Sequence, residues 1–311
     1  MNVVSLFSGI GGIDLAFQQA GFNIVWANEK DAAACKTYRC NFPSSILNEC
    51  DIRKIDASRI PSGDVLVAGF PCQPFSTAGF QKGFRDPRGN LFFEIVRVIN
   101  EIHPEIILLE NVENIVEHDN ERTFLRIFTE LSKCGYDVKY RVLQPYDYAG
   151  IPQRRKRIFI VAFSSIELCD CFSFPSETKA KKVLNELIDT SVRQKLIYYY
   201  NDSYKNYDEL LAKVRKGKIY SIKNDGTVYG SDICPTLIAG MGKYPDRIPV
   251  IMDDFGIRRL TVRECLRFQG FPDSYKMPKD ISIEEAYKQI GNSVCVPVVE
   301  KIAEEIMKIL K

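Results

Sequence analysis

Cys72 is the residue of this chain best placed to act as a nucleophile. It stands in the sequence Pro-Cys-Gln-Pro at 71–74, directly after the apolar run Val65–Ala68. Such a run predicts a short buried strand, and the two prolines predict a turn at its end. Enzymes built from alternating strands and helices place reactive groups at these strand ends. Most cysteines are small buried hydrophobic residues, so the role of Cys72 depends on the groups around it.

The scarcity of histidine limits how this thiol could be activated. A papain-like cysteine–histidine pair would need His103 or His118, because the chain has 2 histidines. His103 precedes a proline at a predicted helix-to-strand corner, and His118 lies in a polar stretch. We therefore expect a group other than histidine to stabilise a thiolate at Cys72.

Two other polar groups stand where predicted strands end or begin. Glu110 follows the apolar run Ile106–Leu109, where burial would raise the pKa of its carboxyl and let it share a proton with a substrate nitrogen. A solvated and idle carboxylate is equally compatible with this position. The segment Gln-Arg-Arg-Lys-Arg at 153–157 enters a further strand, whose alternation would turn Arg155 and Arg157 to one face.

A glycine-rich loop, Ser5–Gly12, follows the first predicted strand and opens the first predicted helix. Its glycines would let a ligand approach bare backbone at the helix N-terminus. Glu29 ends the second strand, 20 residues after Gly9, where nucleotide-binding folds place a carboxylate on ribose hydroxyls. The loop could also be a tight turn that binds nothing. No Gly-Lys-Ser/Thr follows it, which disfavours triphosphate chemistry.

Composition indicates a globular protein of 311 residues, 45% hydrophobic and 26% charged, with one large domain or two unequal ones. No apolar run approaches the roughly 20 residues that span a bilayer, and the N-terminus lacks the basic region of a signal peptide. The 10 cysteines contain no Cys-x-x-Cys pair, which disfavours disulfides and zinc. We expect a cytoplasmic protein without a metal or a membrane partner.

Net charge is only +2, from 42 basic and 40 acidic residues, which is not typical of a general nucleic-acid binder. Basic residues nevertheless cluster at 154–157, 213–218 and 258–267. Any one cluster could be a solvated face. Three of them in a neutral chain favour a basic cleft that faces a polyanion.

Short apolar runs alternate with amphipathic stretches over about the first 165 residues, which predicts a parallel sheet covered by helices on both faces. The predicted strands are Val3–Phe7, Ile24–Ala27, Val65–Ala68, Ile106–Leu109, Tyr140–Leu143 and Ile158–Ala162. The predicted helices are Ile13–Gln19, Ala32–Arg39, Leu91–Ile102 and Arg122–Ser132. Ligands are then expected at the carboxyl ends of the strands.

Periodicity weakens from Phe172 to Tyr275, and Ser231–Asp246 predicts an irregular loop. The sequence Thr-Val-Arg-Glu at 261–264 predicts a capping box that opens a short helix ending near Gly270. A final amphipathic helix is expected over Val298–Leu310.

The motifs as an ordered set resemble the DNA (cytosine-5)-methyltransferase family, in its bacterial stand-alone, restriction–modification form. They are Phe-Ser-Gly-Ile-Gly-Gly at 7–12, Pro-Cys-Gln at 71–73, Glu-Asn-Val at 110–112, Gln-Arg-Arg-Lys-Arg at 153–157, Arg-Arg-Leu-Thr-Val-Arg-Glu-Cys at 258–265 and Gly-Asn-Ser-Val at 291–294. The match covers nearly the whole chain, and only about 173–257 lacks a strong signature.

The resemblance implies a Rossmann-like α/β methyltransferase domain with a mostly parallel sheet, plus a smaller irregular target-recognition domain. We expect a catalytic and cofactor-binding domain at 1–172, a DNA-reading domain at 173–275, and a C-terminal segment at 276–311 that returns to the catalytic domain.

The implied cofactor is S-adenosyl-L-methionine, which leaves as S-adenosyl-L-homocysteine. The residues that the resemblance assigns to it are Phe7, Gly9, Ile10, Gly11, Glu29, Asp51, Ile52, Pro71, Leu91, Asn292 and Ser293. Glu29 would hold the ribose hydroxyls, and Asp51 with Ile52 would meet the adenine. The family often has tryptophan after the ribose acid, whereas Lys30 stands there in this chain.

The implied mechanism makes Cys72 the nucleophile that attacks carbon 6 of cytosine, so that carbon 5 can accept a methyl group. Glu110 would act at ring nitrogen 3, and Arg155 and Arg157 would neutralise the ring carbonyl and favour the thiolate. The target base must leave the duplex for this chemistry. The residues implied to contact DNA are Gln73, Ser76, Thr236, Leu237, Lys243 and Arg247.

The implied partner is double-stranded DNA of a specific sequence, with a cognate restriction endonuclease that acts on the same site without a stable complex. A monomer is expected. Two alternatives stay open: an RNA cytosine-5-methyltransferase with the same cofactor and nucleophile, and a catalytically dead DNA-binding paralogue. The presence of Cys72, Glu110, Arg155 and Arg157 disfavours the second alternative.

Overall fold

The computed structural model of the chain describes residues 1–71 and 91–311. Cys72, Gln73 and Ser76 lie outside the described residues. The chain divides into two compact units. The first contains Met1–Leu143, Lys156–Ser176 and Val296–Lys311, and the second contains Gln144–Arg155 and Glu177–Cys295.

A mixed sheet forms the centre of the first unit, with seven strands among the described residues. They are β1 Asn2–Leu6, β2 Asn23–Asn28, β3 Leu47–Asn48, β4 Val65–Gly69, β5 Ile106–Val112, β6 Asp137–Leu143 and β7 Arg157–Phe163. Their order is β3-β2-β1-β4-β5-β7-β6. The pairs from β3 to β5 are parallel, and β7 runs antiparallel to β5 and β6. The predicted α/β class with a mostly parallel sheet is confirmed.

This topology places the ends of several strands along one edge of the sheet, which we call the site edge. The strands β1, β2, β4 and β5 are mutually parallel, so their carboxyl ends lie along the same edge. Because β7 is antiparallel to β5, its first residue, Arg157, pairs with Val112 at that same edge. The polar residues predicted at strand ends are therefore brought together by the pairing of the strands.

The helices, in chain order, complete both units. They are α1 Gly12–Gln19, α2 Ala32–Arg39, α3 Leu91–Ile102, α4 Arg122–Lys133, α5 Pro145–Tyr148, α6 Ile166–Cys171, α7 Tyr207–Lys213, α8 Val262–Phe268, α9 Ile283–Asn292 and α10 Val296–Leu310. The predicted helices α1 to α4 and α10 are confirmed, with shifts of at most two residues at their ends.

Burial explains why the central strands are continuous apolar runs. Val65–Ala68 of β4 and Ile106–Leu109 of β5 are fully buried, which requires cover on both faces of the sheet. The helix α3 buries Phe92, Ile95 and Ile99 in the same core, at the spacing of one helical face. The site edge therefore rests on a rigid, close-packed support.

The second unit contains a small antiparallel sheet that the sequence did not predict. In the described residues its strands are β8 Ile219–Ile222, β9 Val228–Ser231, β10 Val250–Met252 and β11 Ile257–Arg259, in the order β11-β10-β8-β9. Leu210 in the middle of α7 and Val214 directly after it pack with Tyr220 and Val250 in the core of this sheet. The strands are three or four residues long, which gives too little alternation to distinguish them from loop.

A buried arginine organises the junction between β11 and α8. Arg258 is fully buried and donates to Asp253 at 2.6 Å and to both oxygens of Glu264 at 2.8 Å. Glu264 also accepts the backbone N–H of Thr261, whose hydroxyl accepts the N–H of Glu264. The predicted capping box is confirmed, and its carboxylate also pairs with Arg258.

The segments 144–155 and 276–295 belong to the second unit. The predicted boundaries placed 144–155 in the catalytic domain and 276–295 in the C-terminal segment that returns to it. Gln153 donates to the Phe268 carbonyl at 2.6 Å, and the Arg154 N–H donates to the Cys234 carbonyl at 2.8 Å. The helix α9 packs so tightly on 238–239 that a Cβ at Gly291 would lie 2.1 Å from the Ile238 carbonyl carbon. These backbone contacts, between residues distant in sequence, are not visible as periodicity.

Candidate active site

The glycine loop between β1 and α1 is a sharply turned backbone segment. Phe7, Gly9 and Gly11 all have positive φ, of 55°, 56° and 80°. A Cβ on Gly11 would lie 2.3 Å from Cε2 of Phe42, so this position requires glycine. On Gly9, by contrast, a Cβ would meet no atom of the described residues within 4 Å. At Gly9 the loop thus presents backbone that no described residue covers.

Glu29 is held against this loop by backbone hydrogen bonds. Its Oε2 accepts the N–H of Gly9 at 2.9 Å, and its Oε1 accepts those of Lys30 and Asp31 at 2.7 and 2.8 Å. The carboxylate is half-buried at the end of β2 and keeps further lone pairs for ligand donors. The loop and the acid, predicted to act together, are in direct contact.

Asp51 lies at the start of a 3-10 turn, Ile52–Lys54. Its carboxylate accepts from the Arg53 guanidinium at 2.5 and 2.9 Å and from Lys30 Nζ at 3.3 Å. The hydrogen bonds from Arg53 hold the pKa of Asp51 well below its usual range. Ile52 is buried, and its carbonyl accepts from Arg97 at 2.9 Å. Lys30 thus contacts a carboxylate at the position where the family often has tryptophan.

Glu110 and Arg157 form an ion pair at the site edge of the sheet. Arg157 Nε lies 3.3 Å from Glu110 Oε1, and both side chains are largely buried. Glu110 pairs directly with Phe159 across the ladder, so Arg157 is its diagonal neighbour. The carboxylate also lies beside Gly69, the last residue of β4. An acid and a cation therefore converge where β4 leads to Pro71 and Cys72.

Asn111 links this pair to the chain that leads to Cys72. Its side-chain amide donates to the Phe70 carbonyl at 3.2 Å, and its Oδ1 accepts the N–H of Val112 at 2.9 Å. Asn111 is 1% exposed, and Phe70 is 2% exposed. The backbone two residues before Cys72 is thus fixed to the strand that carries Glu110. Pro71 is half-buried, and Leu91 is the buried first residue of α3.

Arg155 belongs to the second unit and precedes β7, so strand alternation does not apply to it. Its guanidinium is buried and donates to the carbonyls of Leu237 at 2.6 Å, Gly291 at 3.2 Å and Ser293. Arg155 therefore holds two backbone segments, one at Leu237 and one at Gly291–Ser293, through three carbonyls. Asn292 ends α9 and is exposed, whereas Ser293 is buried beside it.

The residues predicted to contact DNA in the second unit lie beside or within two short 3-10 turns, Ala239–Gly242 and Pro245–Arg247, the second of which ends at Arg247. Thr236 donates its hydroxyl to the Arg154 carbonyl, and Leu237 is fully buried. Lys243 and Arg247 both lie over the ring of Tyr244, at 5.4 and 4.5 Å from its centroid. Tyr244 is 45% exposed. The structure therefore adds an exposed aromatic residue that the sequence analysis missed.

Three buried cysteines of the described residues, Cys35, Cys234 and Cys265, are poor nucleophiles. Burial raises the pKa of Cys35 to about 11 and the pKa of Cys234 and Cys265 well above its usual value. Their thiols stay protonated near neutral pH. Among the described residues no group of His, Cys, Asp or Glu side chains could hold a metal ion. In that same part of the chain, no helix combines the length and apolarity that a bilayer crossing requires.

Comparison with known proteins gives a consistent result. Residues 1–308 match the family model for C-5 cytosine-specific DNA methylases. The chain is 41% identical to the type II methyltransferase M.Bsp6I of Bacillus sp. (strain RFL6), over 99% of each chain, and 39% identical to M.SsoII of Shigella sonnei, over 99% of this chain and 80% of that one.

A solved structure shares the fold: the Entamoeba histolytica methyltransferase EhMeth has a TM-score of 0.80 at 19% identity, over 100% of this chain and 99% of that one. The family description specifies DNA, which supports the DNA hypothesis over the RNA alternative. The chain therefore belongs to the C-5 cytosine-specific DNA methylase family and is a DNA cytosine-5-methyltransferase.

Proposed function

We propose that the enzyme methylates carbon 5 of a cytosine flipped out of a specific double-stranded DNA sequence, through a covalent adduct with Cys72. The observation that carries the proposal is the Glu110–Arg157 pair, whose Nε–Oε1 distance is 3.3 Å, beside the end of β4. It places an acid and a cation next to the backbone that continues into Cys72.

The cofactor proposed is S-adenosyl-L-methionine, which supplies the methyl group when bound and leaves as S-adenosyl-L-homocysteine. The backbone at Gly9, which no described residue covers, and the half-buried carboxylate of Glu29 fit a ligand with a ribose. Phe7, Ile10 and Gly11 would complete the loop around it. Asp51 and Ile52 would meet the adenine, with Lys30 contributing charge where the family often has an aromatic ring.

The chemistry proposed for the chain's own groups is a nucleophilic addition followed by elimination. The Cys72 thiolate forms a bond to carbon 6, while Glu110 holds a proton at ring nitrogen 3 to stabilise the charge that develops in the ring. Arg157 neutralises charge near the ring carbonyl. Once carbon 5 carries the methyl group, its proton is lost to a base, and the electron pair of that C–H bond re-forms the ring double bond as the bond to Cys72 breaks and the thiolate leaves. Arg155 would act with Arg157 on the ring carbonyl and the thiolate, and it would also fix the Leu237 and Gly291–Ser293 segments.

The second unit is proposed to read the DNA. Lys243, Tyr244 and Arg247 form an exposed cluster of two cations on one ring, which is suited to phosphate and base contacts. Thr236, Leu237, Gln73 and Ser76 would contribute further contacts. We propose a monomeric, cytoplasmic bacterial enzyme that protects DNA from a cognate endonuclease of a restriction–modification system.

The test is replacement of the nucleophile. Cys72→Ala should abolish methyl incorporation into DNA, because carbon 5 cannot be activated without the bond to carbon 6. DNA binding should survive, since the DNA contacts proposed above are made by other residues. Transfer of a tritiated methyl group from S-adenosyl-L-methionine measures methyl incorporation, and gel-shift titration measures DNA binding.

Cys171→Ala is the matched control, because Cys171 is exposed in the first unit and should be dispensable. Bisulfite sequencing of DNA methylated by the wild type locates the modified cytosine. Turnover by Cys72→Ala comparable with the control would exclude the covalent mechanism, and methylation of transcripts but not of duplex DNA would exclude the proposed substrate.

A further inference from the structure

Asp14, in the first turn of α1, is a fully buried carboxylate to which the proposed chemistry assigns no role. Its Oδ1 accepts the hydroxyl of Ser5 at 2.5 Å, and its Oδ2 accepts the hydroxyl of Tyr38 at 2.6 Å. Ser5 belongs to β1, and Tyr38 belongs to α2. A buried carboxylate is costly unless its oxygens are hydrogen-bonded. Here it joins three elements that surround the glycine loop.

One side of this network reaches the loop through serine hydroxyls. Ser5 Oγ lies 2.9 Å from Ser8 Oγ. The Ser8 carbonyl accepts the N–H of Gly11 at 2.7 Å, and the Ser8 N–H donates to the Asn28 carbonyl at 2.9 Å. Asn28 directly precedes Glu29. The position of Ser8 is therefore coupled both to the turn of the loop and to the strand that ends at the proposed ribose acid.

The other side of the network reaches the loop through packing. The Tyr38 ring stacks on Phe42, with centroids 4.4 Å apart. These two rings form the surface under Gly11, where an added Cβ would lie 2.3 Å from Phe42 and 3.1 Å from Tyr38. The Tyr38 hydroxyl, bound to Asp14, fixes the ring on which the end of the loop rests.

We propose that Asp14 is a positioning residue of the cofactor site, which holds the loop Phe7–Gly11 in its binding geometry through Ser5 and Tyr38. The inference rests on the proposed function, in which that loop binds S-adenosyl-L-methionine. Loss of the carboxylate leaves two buried hydroxyls without their acceptor. A loop whose supporting contacts are loosened then loses affinity for a ligand that it contacts through backbone.

The experiment measures cofactor binding by calorimetry on the full chain without DNA, well below the unfolding temperature. The variants are Asp14→Ala, Asp14→Asn and Tyr38→Phe. Tyr136→Phe is the matched control, because Tyr136 is buried in the same unit and donates its hydroxyl to the Pro104 carbonyl at 2.7 Å, outside this network.

Asp14→Ala should weaken S-adenosyl-L-methionine binding by at least about tenfold, and Tyr38→Phe by about threefold to tenfold, as expected for one lost buried hydrogen bond. Asp14→Asn, which keeps hydrogen-bonding atoms in place, should recover most of the affinity. Tyr136→Phe should lower the melting temperature about as much as Tyr38→Phe and leave cofactor affinity unchanged. DNA affinity should be unchanged in every variant.

Equal cofactor affinity in wild type and Tyr38→Phe, with both tyrosine variants equally destabilised, would overturn the proposal and make Asp14 a core residue only. The Tyr38→Phe and Asp14→Asn pair decides the question if Asp14→Ala does not fold. Failure of the wild type to bind S-adenosyl-L-methionine would instead contradict the proposed function, so the two failures are distinguishable.

Discussion

At the scale of single residues, two carboxylates of this enzyme sit in opposite environments. Glu110 lies at the site edge beside Arg157. Asp14 lies in the core and has hydroxyls rather than a cation as its partners. Burial raises the pKa of Asp14 to about 6, against an ordinary value of 3.8, and the hydrogen bonds from Ser5 and Tyr38 only partly oppose this. The ionised form is thus retained in the core at some cost to stability.

The pH dependence of stability should reveal this cost. The pKa of Asp14 is higher in the folded chain than in the unfolded chain, so folding takes up a proton between the two values. The stability contribution of Asp14 is therefore fully present below about pH 4 and lost as pH rises through about 6. Relative to Asp14→Asn, the wild type should lose up to about 3 kcal/mol of unfolding free energy between these limits.

Urea denaturation of both proteins across this range gives the difference directly, and subtraction of the two curves cancels the other titrating groups. A difference that is flat with pH, or that grows in favour of the wild type as pH rises, would contradict the raised pKa of Asp14.

At the scale of elements, the start of α4 carries an unusual backbone. Asp119, Asn120 and Glu121 have consecutive positive φ values of 54°, 51° and 66°. Glu121 occupies the N-cap position without a side-chain capping bond. Asp and Asn adopt left-handed backbone more readily than other residues, whereas for a residue such as Glu121 it is unfavourable by about 1–2 kcal/mol. The turn that leads from the Glu110 strand into α4 is therefore strained.

Replacing Glu121 should release part of this strain. Glu121→Gly should be more stable than Glu121→Ala by about 1 kcal/mol, because only glycine lacks the Cβ that opposes a φ of 66°. Both variants lose the same carboxylate, so their comparison isolates the backbone. Chemical denaturation measures the difference, and an alanine variant at least as stable as the glycine variant would show that the turn is not strained at Glu121.

The sequence predicts the elements that carry strong local signals. Glu29 directly follows β2, as predicted, whereas Glu110 lies inside β5, because that strand continues past its apolar run Ile106–Leu109 to Val112. The sheet of the second unit could not be predicted, since β10 and β11 are three residues long and owe their form to pairing. The hydrogen bonds of Asp14 could not be predicted either, because its partners Ser5 and Tyr38 lie 9 and 24 residues away in the sequence. Such long-range hydrogen bonds leave no periodic pattern.

At the scale of the whole molecule, attraction to DNA cannot come from net charge, which is only +2. The attraction must come from the local arrangement of positively charged side chains. Lys243 and Arg247 share the ring of Tyr244 in the second unit. Lys133 and Lys308, on helices of the first unit, are equally charged but are paired with neighbouring glutamates on their own helices. The two sets differ in placement rather than in charge.

Two double variants with the same change in charge should therefore behave differently. Lys243→Ala/Arg247→Ala should weaken DNA binding and make the plot of log affinity against log salt shallower by about 1 to 2. Lys133→Ala/Lys308→Ala should leave both quantities nearly unchanged. Fluorescence anisotropy over a salt series measures affinity and slope. Equal effects from the two variants would mean that overall charge, rather than the Tyr244 cluster, attracts the DNA.

The second unit consists of two separate stretches of chain, 144–155 and 177–295. Arg155 in the short stretch bonds to carbonyls at 237, 291 and 293 in the long one. If a recombinant took only the long stretch from a relative, Arg155 would come from one parent and its three carbonyl partners from the other. Under the proposed function, in which the second unit reads DNA, a chimaera that transfers DNA specificity must therefore carry both stretches together.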